Sequence, residues 1–187
     1  MFLAEKGVAY DTIELSIAAK EHQSPEFRTK NPLMLLPVLE LADGKVLRES
    51  MAICRYLEEL YPEPNLFGAD TWERAQIEQW NRHAEFELVV PAMQMFRNLH
   101  SFWIGRIKQS HEFGEIVREL VLERFNWFDG ELAQRPYIAG SRFTVADITA
   151  LCAIDFCKIS KVRINAETHP HLAAWHTRVS ERPSAKA

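Results

Sequence analysis

The spacing of apolar positions changes character near residue 62. Before that point short patterns follow one another every few residues. Met1–Lys6 reads as the end of a helix stopped by Gly7, which can adopt the left-handed conformation of a C-terminal cap. Val8–Leu15 alternates loosely and predicts a strand over Tyr10–Leu15. Ser24 followed by Pro25 is a cap with a first-turn proline, opening a short helix over Pro25–Lys30. The run Pro37-Val38-Leu39-Glu40-Leu41, then Ala42-Asp43-Gly44, then Lys45-Val46-Leu47 predicts a hairpin around an Asp-Gly turn. Ser50 opens and caps a helix whose Ile53, Leu57 and Leu60 form an apolar face, and Pro62 and Pro64 end it.

Every later pattern is helical. Asp70 with Glu73 makes a capping-box-like start for a long helix from Thr71 to Trp103, with a kink at Pro91. A second helix covers Phe113–Leu132, with Ile116, Leu120 and Phe128 on its apolar positions. A third starts at Thr144 with Asp147, stapled by Phe143 against Ile148, and the last covers Leu172–Val179 after Pro170 and before Pro183. The fold class is α/β followed by all-α: a small domain over 1–62, a linker over 63–70 and a helical domain over 71–187.

Composition narrows the function. With 187 residues, 47% hydrophobic and 26% charged, the chain is an ordinary globular one, which excludes intrinsic disorder. A net charge of −4 without a Lys/Arg cluster argues against nucleic acid. The longest apolar runs, Leu33–Leu39 and Leu88–Met93, fall far short of a membrane span, and Met1–Gly7 lacks the apolar core of a secretory signal. Three cysteines without a CxxC argue against a disulfide framework and for a reducing cytoplasm. Cys54 reads as a small core hydrophobe, and Cys152 and Cys157, five apart, do not share a helix face. His169, His171 and His176 lack the spacing of a helical metal pair, so no metal ligand is assigned.

Several segments together resemble the glutathione transferase superfamily, in its bacterial cytosolic form. They are Asn31-Pro32 with Leu36-Pro37-Val38-Leu39-Glu40-Leu41, then Leu47-Arg48-Glu49-Ser50-Met51-Ala52-Ile53, Arg55-Tyr56-Leu57, Tyr61-Pro62, Phe143–Ile148 and Arg182-Pro183-Ser184. They occur in the family's order over nearly the whole chain. The resemblance implies a thioredoxin-like domain that binds glutathione, then an all-helical domain that shapes the site of a second substrate. It also implies a homodimer and a role in detoxification. A cis Leu36–Pro37 bond would present the Leu36 backbone as a strand edge to the cysteinyl unit of glutathione. Ser50, at a helix N-terminus, would receive the γ-glutamyl carboxylate, and Glu49 the γ-glutamyl amino group. Phe96, Leu99 and Trp103 fall on one helical stripe, and the family analogy offers them to an apolar electrophile.

The resemblance also implies two departures. The family's first strand and its loop, which carries the Tyr, Ser or Cys that steadies the glutathione thiolate, have no counterpart before Phe2–Gly7, so no catalytic residue is assigned. The thioredoxin-like domain is then N-terminally truncated, and a longer native product is expected. Without that strand, Tyr10–Leu15 either pairs directly with the hairpin or leaves the domain distorted. Where the family carries Gly and a polar residue before the cis-proline, this chain has Met34 and Leu35, which weakens the hold on the glycyl carboxylate. Two functions follow from the resemblance. One is conjugation of the glutathione thiol to an apolar electrophile, with isomerisation, dehalogenation and disulfide reduction as related chemistries. The other is a non-catalytic binding or interaction protein on the same fold.

Overall fold

A computed structural model describes all 187 residues. The chain divides into two compact units, one of Leu3–Pro64 and one of Asn65–Ala187 with Met1–Phe2.

In the smaller unit, α1 (Phe2–Lys6) ends at Gly7, whose φ of 63° is the left-handed cap conformation. The fully buried Lys6 ammonium meets the Glu58 carboxylate at 2.6 Å and donates to the Pro64 carbonyl at 2.7 Å. A buried charge needs such satisfaction, because desolvation otherwise costs several kcal/mol per ion. The Ser24 hydroxyl accepts the Phe27 N–H at 3.1 Å and starts α2 (Pro25–Lys30). Strands β1 (Val38–Glu40) and β2 (Val46–Arg48) pair antiparallel, with Val38 opposite Arg48, Leu39 opposite Leu47 and Glu40 opposite Val46. Their turn needs Gly44, at φ 82°, because a side chain there would be strained. Helix α3 (Ser50–Leu60) follows directly.

The strand expected over Tyr10–Leu15 does not form. Val8–Ser16 has no regular structure, and Tyr10 and Ile13 are 62% and 79% exposed. A loose alternation selects a face but supplies no partner, and the sheet contains only β1 and β2. Direct pairing of this segment with the hairpin is therefore ruled out. Leu60, expected on the apolar face of α3, is exposed, whereas Leu57 is buried.

In the helical unit, the expected Thr71–Trp103 helix is divided. Helix α4 (Thr71–Ala84) passes through a π-helical turn at Glu85–Val89 into α5 (Val90–Leu99), and a short 3-10 turn holds Ser101–Trp103. Pro91 has no N–H for the ladder, and the widened turn just before it takes up the irregularity. Helix α6 (His111–Leu132) buries Val117, Val121, Phe125, Phe128 and Leu132 on one stripe. Ile116 lies off that stripe and is exposed, contrary to the sequence reading. Gly114 is the closest approach of α5 and α6: a Cβ there would come within 2.5 Å of Leu99 Cδ2.

Helix α7 (Val145–Cys157) opens on the Thr144–Asp147 capping box, and α8 (Pro170–Ser180) closes the bundle. Asp147 is fully buried and accepts four hydrogen bonds. The Ile138 N–H and the Trp175 indole reach Oδ1 at 2.9 and 2.8 Å, while the Thr144 N–H and hydroxyl reach Oδ2 at 2.9 and 3.2 Å. The Arg142 guanidinium binds the Asn65 carbonyl, Asn65 Oδ1 at 3.0 Å and Glu73 Oε1 at 2.7 Å, and so fixes the start of α4.

Candidate ligand-binding site

The hairpin brings the candidate residues together through its register. Because Val38 lies opposite Arg48, the pairs Leu36-Pro37 and Glu49-Ser50 leave the same end of the two strands. All four residues are exposed. The Leu36–Pro37 bond is cis, the isomer that the sequence reading expected.

The loop before Pro37 is shaped by a residue to which the sequence reading gave no role. Asn31 is 3% exposed, and its side-chain amide donates to the Leu35 carbonyl at 2.8 Å while its Oδ1 accepts the Leu33 N–H at 3.1 Å. Its own carbonyl takes the Met34 N–H at 2.8 Å, with Met34 at a left-handed φ of 56°. Asn is the residue that bonds its own backbone neighbours most readily, and this was the signal available in the sequence. On the flank, Arg48 Nε donates to the Lys30 carbonyl at 2.7 Å and ties β2 to the end of α2. Lys30 pairs with Glu40 at 2.7 Å, and this bond raises the lysine pKa above its ordinary value.

Ser50 is not the cap of α3, as the sequence reading had it, but its first helical residue. The cap position is Glu49, which makes no side-chain cap bond. An α-helix leaves its first N–H groups without intrahelical partners, and its N-terminal end carries roughly half a positive charge. Ahead of α2, α4 and α6 a Ser or Asp side chain fills that role, and at α3 none does. Glu49 also takes a backbone conformation, φ 68° and ψ 119°, that a side-chain-bearing residue rarely adopts. Such strain costs on the order of 1–3 kcal/mol and concentrates at functional positions. The arrangement offers an exposed backbone turn beside an uncapped helix end, chemistry suited to a peptide-like carboxylate.

In the helical unit, Phe96 and Trp103 are half-buried with ring centroids 5.9 Å apart, in a cluster with Phe102, His100 and Phe156. Trp103 belongs to the 3-10 turn and not to α5, so the helical stripe breaks after Leu99. Leu99 packs at the α5–α6 contact beside Gly114. No disulfide joins the three cysteines, and burial pushes the Cys157 thiol up to about 12. His169 bonds Asn126 at 2.9 Å, and His176 bonds Asp155 at 2.7 Å.

Comparison with known proteins decides the ancestry. The glutathione S-transferase N-terminal domain matches residues 1–60 and the C-terminal domain matches residues 88–183. Glutathione S-transferase 2 of Saccharomyces cerevisiae is 35% identical over 188 residues, covering 98% of this chain and 80% of its own. The chain belongs to the glutathione S-transferase superfamily. The crystal structure of Gtt2 from Saccharomyces cerevisiae superposes with a TM-score of 0.91 at 34% identity, covering 99% of this chain and 90% of its own. A class Gtt2 glutathione S-transferase of Vibrio parahaemolyticus gives 0.86 at 34% identity, covering 100% and 88%. In this member of the superfamily, the small unit is thioredoxin-like with a two-stranded sheet, and the second unit is all-helical. No helix is long and apolar enough to cross a membrane.

Proposed function

We propose that this chain binds glutathione at Leu36, Pro37, Glu49 and Ser50 and that its chemistry is glutathione transfer to an apolar electrophile. The observation that carries the reading is the start of α3, where the Glu49 side chain makes no cap bond, at the same hairpin end as the Leu36-Pro37 turn. The γ-glutamyl carboxylate sits on the α3 N-terminus and the Ser50 hydroxyl, where the helix field favours an anion. The Glu49 carboxylate accepts from the γ-glutamyl ammonium. The Leu36 N–H and C=O pair with the cysteinyl backbone as an added strand. The chemistry requires the thiolate, because it and not the thiol is the nucleophile. Phe96, Leu99 and Trp103 supply apolar surface for the electrophile.

The relatives' names support glutathione as co-substrate, and the reading includes a homodimer with a detoxifying role in the cytoplasm. The likeness to the Vibrio protein supports a bacterial cytosolic type, and the yeast relative fits equally well.

A second reading, a non-catalytic binding protein on the same fold, is favoured by one observation: Val8–Ser16 is left without a strand partner. Calorimetric titration with glutathione separates the claims. Measurable binding by the wild type, weakened about tenfold or more in Ser50→Ala, supports the site. Equal affinity in both, or none in either, removes it. Turnover of an aryl halide with glutathione then decides between the two functions: measurable turnover supports transfer, and its absence alongside binding supports the second reading.

A further inference from the structure

A cavity of about 310 Å³ opens in the helical unit where the loop after α6 meets α8. Leu132, Pro136 and Trp175 form its apolar part, and Arg135, His171 and Arg178 its polar part. Its volume lies at the lower end of the roughly 300–1,000 Å³ of small-molecule sites. None of these residues takes part in the glutathione reading.

Both guanidinium groups are anchored by neighbouring groups. Arg135 stacks over Trp80, 3.8 Å from the ring centroid, and meets Glu131 at 2.9 Å. Its Nε is buried away from solvent, so the Arg135 side chain contributes charge to the cavity and not an exposed Nε donor. Arg178 lies over the Tyr137 ring at 5.7 Å and donates one bond, at 2.6 Å, to the Pro136 carbonyl. No carboxylate pairs with Arg178. Glu131 offsets the charge of Arg135, and the C-terminal end of α6 offsets about half a charge more. The full positive charge of Arg178 therefore leaves the cavity net positive.

We propose that this cavity binds a small aromatic carboxylate. The ring lies against Leu132 and Pro136, and the carboxylate takes the free Arg178 donors, with the Arg135 charge beside it. Arginine forks suit a planar carboxylate, and their preset orientation lowers the entropy lost on binding.

The test is an NMR titration of the full chain with benzoate. It follows the side-chain Nε–H signal of Arg178 and the indole N–H of Trp175. Saturable shifts of these two signals are expected, with benzyl alcohol, the uncharged analogue, giving none. Arg178→Gln should weaken benzoate binding about tenfold or more. Ala174→Phe, which fills the cavity mouth and keeps both arginines, should abolish it, while Ser50→Ala should leave it unchanged. Absent or non-saturable shifts, equal response to benzyl alcohol, or undiminished binding in both cavity variants would overturn the assignment.

Discussion

Three side chains dominate at the residue scale, two through burial and one through an ion pair near solvent. Asp147 receives two N–H or O–H donors on each of its carboxylate oxygens. Asn in its place keeps one acceptor oxygen and turns an NH2 toward the other two donors. Asp147→Asn should therefore destabilise the helical unit by about 2–4 kcal/mol, read as a lower urea midpoint at unchanged slope. Glu73 behaves in the opposite sense with respect to solvent. The Arg142 guanidinium beside it, aided by the Ala69 N–H, holds its carboxyl below the usual carboxylate range. A depressed native pKa contributes stability above the unfolded pKa, and that contribution drains as pH falls through the native value. Both side chains are about a third exposed, at 31% and 38%, so screening keeps the effect under about 1 kcal/mol. Glu73→Gln should thus lose less stability than the wild type between neutral pH and about pH 3 in urea titrations. Cys157, its thiol pushed up to about 12, should resist a thiol reagent at neutral pH until the helical unit is unfolded.

Close packing governs the element scale, and the α5–α6 contact exposes its limits. Gly114→Ala gains helix propensity worth up to about 1 kcal/mol but drives a methyl group against Leu99. Overpacking of that kind costs about 1–3 kcal/mol, so net destabilisation is expected, with partial relief in the Gly114→Ala, Leu99→Ala double variant. The helix starts were legible in the sequence because a cap is a local event: Ser24, Asp70 and Thr144 act within one turn of themselves. The hairpin was legible for the same reason, since Asp43-Gly44 sets its own turn. The strand over Tyr10–Leu15 was misread because pairing is a property of two segments, and one segment's alternation cannot show whether a partner lies beside it. Ile116 was placed on the wrong face because α6 has apolar side chains on more than one side, Phe113 and Leu122 among the exposed ones. Of the candidate site, Leu36, Pro37, Glu49 and Ser50 could be located by motif. Asn31, whose contacts run to the backbone of the following loop, showed its role only in the folded chain.

Over the whole molecule, the two units differ in how completely they satisfy their own backbone. The helical unit carries most of the buried apolar side chains, among them Phe125, Phe128 and Trp175. The smaller unit leaves Val8–Ser16 outside any sheet or helix. Native-state hydrogen exchange should show the amides of this segment exchanging far ahead of those of α6, and chymotrypsin should cut first at Tyr10. Protection of Val8–Ser16 comparable to that of α6 would contradict the two-stranded sheet.

The bare flank of β1 reaches beyond folding energetics into handling. Outside the hairpin its amides and carbonyls have no strand to meet, and Ile13, Ile17, Leu33 and Leu35 of the same unit are bared to water. Such a ribbon is a template for its own kind. The shelf life of a purified stock should accordingly be set by protein concentration more than by temperature.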